Sequence, residues 1–210
     1  MNNRITALGL VTLGLAALHG APADAQEHAG SQDVQIYAGE IFGGRLTEPP
    51  PGGRSPLLND DPVFGGRYTY DLTDRWGLQL SSGYSPSRAG YALGGDSNLG
   101  LTTLDVDVLW NVAPGFTLDD HSLVPYTEAG IGYVWSDLNH PLYGVTGTTP
   151  VVLTDSNGYT ANVGLGAKYY MTDNFFVDFD ARYRYLSRLI DNDREGLNTA
   201  ETTLSLGYRF

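Results

Sequence analysis

Between 175 and 185 every second side chain is apolar or aromatic: Phe175, Val177, Phe179, Ala181, Tyr183 and Tyr185, with Phe176, Asp178, Asp180, Arg182 and Arg184 between them. A period of two predicts a strand. After a polar stretch a second run follows, Leu204, Leu206, Tyr208 and Phe210 against Thr203, Ser205, Gly207 and Arg209. The polar face carries acids and bases in close succession, while the other face is bulky and apolar. That division suits a narrow, internally paired lumen with lipid outside it. A soluble antiparallel sandwich or lipocalin-like barrel has the same period, and this hairpin alone leaves both open.

Six more runs precede it, expected at about 33–42, 63–72, 76–85, 102–112, 123–135 and 159–171. Their apolar faces hold, for example, Phe64, Tyr68, Tyr70 and Leu72, or Leu104, Val106, Val108, Trp110 and Val112. The eight expected strands have roughly 9 to 13 residues, matching the ~9 to 11 tilted residues that cross a bilayer. Their connections alternate between long (43–61, 86–100, 136–158, 187–200) and shorter (73–75, 113–122, 172–174). Short periplasmic turns opposite long external loops are the signature of a membrane barrel. Trp76, Trp110 and Phe175 lie beside the shorter connections, and Tyr84, Trp135, Tyr159 and Tyr185 beside the long ones. Two interfacial girdles require this placement, whereas strand propensity accounts only for the number of aromatics. The fold expected is therefore all-β, an eight-stranded antiparallel transmembrane β-barrel.

Residues 1–25 predict a secretory signal peptide: Arg4 is the basic region, 5–18 the apolar region, and Ala23-Asp24-Ala25 the cleavage site, leaving a barrel domain at 26–210. Without the leader the chain keeps 11 basic and 23 acidic residues, a net charge of −12. An acidic chain without basic patches argues against nucleic acid as a partner. Cysteine is absent, which excludes disulfides and thiolate chemistry.

The leader, the eight runs, the loop asymmetry and the terminal run 204–210 together resemble the small outer-membrane β-barrel superfamily that includes the OmpA, OmpX and OmpW types. The turns Leu72-Thr73-Asp74-Arg75-Trp76 and Met171-Thr172-Asp173-Asn174-Phe175 are similar to that family's recurrent periplasmic turn. The resemblance implies residence in the outer membrane of a Gram-negative bacterium, as a monomer in contact with lipid and lipopolysaccharide. It also implies that Leu204, Leu206, Tyr208 and Phe210 form the strand read by the barrel-assembly machinery.

The inward positions expected to carry charge are Arg67, Asp71, Asp105, Asp107, Glu128, Lys168, Asp178, Asp180, Arg182, Arg184 and Arg209. Five bases against six acids nearly neutralise one another, as burial demands. An eight-stranded barrel is only wide enough for side chains to fill it, so the network is expected to plug the lumen and set strand register. A gated conduit is the alternative.

Catalysis on lipid would need a Ser/His/acid set at the membrane surface. Beyond the leader the histidines are His28, His121 and His140; His121 and Ser122 are expected in a turn, and His140 in an external loop near Ser136 and Asp137. No catalytic set, cofactor or metal is expected, and a lipid A-modifying enzyme is a remote alternative. The stretch 191–196 spaces carboxylates like half a calcium loop, but Thr202 stands where the closing Glu belongs, so solvated external acid is expected. The function expected is envelope integrity or interaction with an unspecified surface ligand through the external loops. The alternative is a narrow channel for small, including apolar, solutes.

Overall fold

The alternation read above closes on itself. The computed structural model describes residues 29–44, 57–90, 96–112, 116–118, 121–138, 142–146, 149–153, 156–187 and 196–210. The signal peptide, His28, His140 and most of the calcium-like stretch lie outside them. Eight long strands form the wall: β1 (Gln32–Phe42), β2 (Asp61–Asp71), β3 (Trp76–Gly90), β4 (Asp96–Asn111), β5 (His121–Leu138), β6 (Asn157–Tyr170), β7 (Phe175–Leu186) and β8 (Leu197–Arg209). Each pairs antiparallel with its neighbours in sequence, and β8 pairs with β1, so no edge is left open. Closure satisfies every backbone group of the wall internally, which hydrocarbon demands.

Burial follows parity along all eight strands. On β7 the pattern alternates without interruption from exposed Phe175 to buried Leu186. Ile131, Leu165, Ile36 and Leu206 are 72, 62, 68 and 59% exposed on the outside, while the charged positions between such residues are enclosed. Polar-in and apolar-out is the inverse of a soluble β-protein. Phe175 to Tyr185 spans about 33 Å along the strand, hence about 25 Å across the membrane at a tilt of about 40°.

The two tightest turns share one construction. In each, the backbone N–H groups of two successive residues donate to one carbonyl across the turn: Leu72 and Thr73 to Trp76 (2.8 and 3.0 Å), Met171 and Thr172 to Phe175 (2.9 and 3.2 Å). The threonine hydroxyl then accepts from the N–H three residues on, Thr73 from Trp76 at 3.0 Å and Thr172 from Phe175 at 3.0 Å. Threonine turns of this kind offer the backbone a local partner where the ladder ends.

Strand boundaries differ from the expected ones, mainly at the long-connection end. Much of 86–100 is strand, because β3 runs to Gly90 and β4 begins at Asp96. β8 begins at Leu197, within the expected loop 187–200. A separate hairpin, Leu142–Thr146 with Thr149–Leu153, occupies part of 136–158, and Leu57–Leu58 pairs with β3. His121 and Ser122 are not in a turn: Phe116–Leu118 folds back to pair with them, so they open β5. Glycine- and proline-containing segments still pair where a neighbouring strand offers a continuing ladder. Local breakers in the sequence therefore understate strand length.

Candidate functional site

The enclosed interior is built chiefly by β7, which presents Asp178, Asp180, Arg182 and Arg184 on successive inward positions. Beside β7, Gly164 of β6 is empty of side chain where Arg182 and Glu128 pass, with a Cβ there coming within 2.9 Å of both. Gly130 and Gly132 of β5 likewise make room for Asp107 and Asp105. These glycines let long side chains from β7 reach across to strands it does not pair with.

Three tiers result. Toward the short turns, Arg209 grips Asp33 with two bonds, Nε to Oδ1 at 2.7 Å and Nη2 to Oδ2 at 2.9 Å. Its Nη2 also lies 3.3 Å from Asp71, which accepts from the Ser31 hydroxyl at 2.7 Å. Lys168 Nζ meets Asp33 at 2.8 Å. Aromatic rings form the floor around these cations: the Arg209 guanidinium stands 4.7 Å from the Tyr170 ring and the Lys168 ammonium 5.6 Å from the Phe176 ring. Desolvated contacts of this type are worth about 2 kcal/mol each.

The middle tier centres on Arg182. Its guanidinium lies 2.9 Å from both Glu128 and Asp180, 3.8 Å from Asp107 and 4.0 Å from Glu201. Arg67 shares Asp180 at 3.0 Å, donates to Thr203 at 2.9 Å, and stacks 4.5 Å from the Tyr37 ring. The amide of Gln79 donates to Glu128 at 3.3 Å, and that of Asn162 to Asp107 at 2.8 Å. Tyr126 donates to Asp178 at 3.1 Å. In the upper tier Arg184 meets Asp105 at 2.6 Å and Glu201 at 3.5 Å, and the Thr160 hydroxyl donates to Asp105.

All eleven charged positions singled out in the sequence lie inside the barrel, each at most 3% exposed. Three more carboxylates accompany them, Asp33, Asp61 and Glu201, at 0, 4 and 3%. Parity would have found all three: Asp33 precedes Gln35 by two, Asp61 precedes Val63 by two, and Glu201 precedes Thr203 by two. With them, nine carboxyl groups face five bases among the described residues, and the near-neutral tally read from sequence gives way to an acidic excess of four.

On the outer surface Trp76 and Trp110 stand side by side, ring centroids 6.3 Å apart, near the short turns. Phe175 contacts Tyr208 at 4.9 Å, and Tyr208 contacts Phe210 at 5.0 Å, so the terminal run joins the same belt. Leu204 and Leu206 are exposed above it. Near the other end Tyr84 packs on Phe64 at 5.6 Å, Trp135 on Tyr133 at 4.8 Å and Tyr159 on Tyr185 at 6.3 Å. The two histidine neighbourhoods weighed for catalysis are occupied otherwise: His121 lies edge-on to Tyr169 at 5.5 Å, and the Ser136 hydroxyl donates to the Ser156 carbonyl at 2.9 Å.

A closed antiparallel barrel with an apolar exterior between two aromatic belts and a paired, charged interior defines an integral outer-membrane β-barrel protein. The chain belongs to the outer membrane protein beta-barrel domain family, whose model matches residues 10–210. It is 32% identical over 209 residues to outer membrane porin F of Pseudomonas aeruginosa, an alignment that covers 97% of this chain and 51% of that protein. The chain thus spans about half the length of that relative. Among solved structures it is similar to the outer membrane protein OprG of Pseudomonas aeruginosa, with a TM-score of 0.56, 14% identity, and coverage of 89% of this chain and 98% of that one. The N-terminal β-barrel domain of Pseudomonas aeruginosa OprF matches with a TM-score of 0.49 at 21% identity, over 87% of this chain and 98% of that one. The protein resides in the outer membrane, where its outward face contacts lipid and lipopolysaccharide.

Proposed function

We propose that this barrel is a non-catalytic element of the outer membrane, plugged by its own side chains, that serves envelope integrity or surface interaction through its external connections. The observation that carries this reading is the set of ion pairs that cross the lumen between strands that are not neighbours, Arg67 of β2 to Asp180 of β7 and Arg182 of β7 to Glu128 of β5. Such pairs occupy the space a pore would need. We further assign residues 1–25 to a signal peptide, Leu204, Leu206, Tyr208 and Phe210 to recognition by the barrel-assembly machinery, and a monomeric state to the folded protein.

Conductance across a planar bilayer tests the plug. The refolded barrel should give at most brief, small openings, and a large steady conductance would overturn the reading. Deleting 45–56 or 139–155 should abolish attachment, if attachment is the role, while leaving the barrel folded. A loss of envelope integrity in a strain lacking the protein would favour the structural role instead. The second reading, a narrow channel for small solutes, draws support from the 32% identity to a protein named as a porin. It requires solute uptake that depends on the barrel.

A further inference from the structure

The inward face changes character near the long-connection end. Six strands present an aliphatic residue there, β1 Ile41, β2 Val63, β4 Leu101, β5 Val134, β7 Leu186 and β8 Leu197, none more than 5% exposed. The buried polar residues at this level are tied to the wall: the Ser85 hydroxyl of β3 donates to the Pro62 carbonyl at 2.8 Å, and Asp61, beyond Val63 on β2, accepts from the Arg88 N–H at 2.8 Å. Leu99 and Leu58 add a second tier and are equally enclosed. Five of the six ring residues sit next in sequence to an outward residue at the level of the outer aromatic belt: Phe42, Phe64, Trp135 and Tyr185 directly, and Thr102, which pairs with Tyr84 and Trp135. Beneath the ring a cavity with room for about one water separates Leu101 and Leu186 from Arg184 and Glu201.

We infer that this aliphatic ring is the barrier that seals the lumen from the outside, and that the charge network below it holds the wall in register without itself being the seal. The inference deepens the plugged-barrel reading and rests on it. An ion or water approaching the network from the outside must first shed its hydration among six side chains that offer no hydrogen bond. Hydrophobic constrictions block passage by dewetting in this way. The network alone is a poor seal: nine carboxyl groups against five bases among the described residues attract cations, and Gln35 and Ser205 carry buried polar atoms without a protein partner, where water is readily accommodated.

The natural absence of cysteine makes accessibility measurable. Ser81→Cys places a thiol on β3 at an inward, 1% exposed position facing the network, and Asn59→Cys gives an exposed reference. The probe is methanethiosulfonate ethyltrimethylammonium, a small membrane-impermeant cation that the acidic interior would attract. With the ring intact, the thiol of Ser81→Cys should react far more slowly than that of Asn59→Cys. Adding Leu101→Ser and Leu186→Ser should speed it by about tenfold or more, with the folded state verified by heat-modifiable gel mobility on the same samples. If the double substitution does not fold, Leu186→Ala alone should still raise the rate. Fast labelling behind an intact ring would overturn the inference, as would unchanged slow labelling in a folded, ring-opened barrel. Conductance of the unsubstituted barrel separates the two failures: a large steady current refutes the plug, whereas low conductance with fast labelling refutes only the ring.

Discussion

Arg182→Met should be the most damaging single substitution in the interior, and Glu128→Gln a mild one, although the two residues share one ion pair. Arg182 faces four carboxylates within 4.0 Å, and Glu128 has no other base at that range among the described residues. Removing Arg182 raises the excess of carboxyl groups over bases from four to five and leaves Glu128 with the Gln79 amide at 3.3 Å. Breaking a buried pair from one side in this way costs about 3 to 5 kcal/mol. Replacing Glu128 with its amide lowers the excess to three and leaves Arg182 with Asp180 at 2.9 Å, so the cost is that of one weakened hydrogen bond, about 1 kcal/mol. The double variant should therefore be more stable than Arg182→Met alone, by about 1 to 2 kcal/mol. Urea unfolding in lipid vesicles measures all three, read by the fluorescence of Trp76, Trp110 and Trp135 on the lipid face and by gel mobility, with unchanged slopes confirming a common unfolded state. The order should persist at high salt, because buried pairs are poorly screened. Arg182→Met within about 1 kcal/mol of the unsubstituted protein, or Glu128→Gln as the costlier change, would refute the reasoning.

Leu165→Arg, near mid-height on the lipid face, should cost about 2 to 4 kcal/mol in vesicles, whereas Tyr159→Arg at the outer belt should cost about 1 or less. Equal costs would mean that the belts do not mark the interfaces. A Cβ at Gly207 would collide with the Phe176 ring, so Gly207→Ala should destabilise by about 1 to 3 kcal/mol in urea titration. Gly66→Ala, whose Cβ meets only the Gln35 carbonyl at 3.4 Å, should stay within about 0.5 kcal/mol. Phe210→Ala should lower the amount of folded protein recovered from the outer membrane of cells while refolding in detergent is unchanged. An unchanged yield in cells would remove the terminal run from any role in assembly.

Strand parity was legible because it is a property of each residue and its neighbours two positions away. It placed Asp178, Asp180, Arg182 and Arg184 on one face, and that face is the interior. What parity cannot supply is where a strand stops. A ladder continues as long as a partner continues, so Pro86 and Gly90 remain in β3 because β4 runs alongside them. That uncertainty hid Glu201, which lies close to an expected loop, and with it part of the acidic excess. Pair choice was also beyond reach: Arg67 and Asp180 are 113 positions apart and meet only because the barrel is narrow.

The aliphatic ring escaped the sequence reading for a different reason. Its members stand beside belt residues, as in Ile41-Phe42, Val134-Trp135 and Tyr185-Leu186, and so look like lapses in the alternation. In a lipid-facing strand the outward positions are apolar at every depth, so the inward ones alone report on the lumen. A pair of consecutive apolar residues then means that the inside is dry at that level too. Such pairs recur on β1, β2, β5 and β7 at one end of the wall, next to one belt. At the opposite belt the inward neighbours of Trp76 and Tyr208 are Gly77 and Arg209, but those of Trp110 and Phe175 are the buried Leu109 and Phe176, so apolar pairs mark that end as well. What distinguishes the external end is the chemistry of its inward residues: Tyr170 and Phe176 at the short-turn end are aromatic faces set against Arg209 and Lys168, whereas Ile41, Val63, Leu101, Val134, Leu186 and Leu197 are aliphatic and offer a cation nothing.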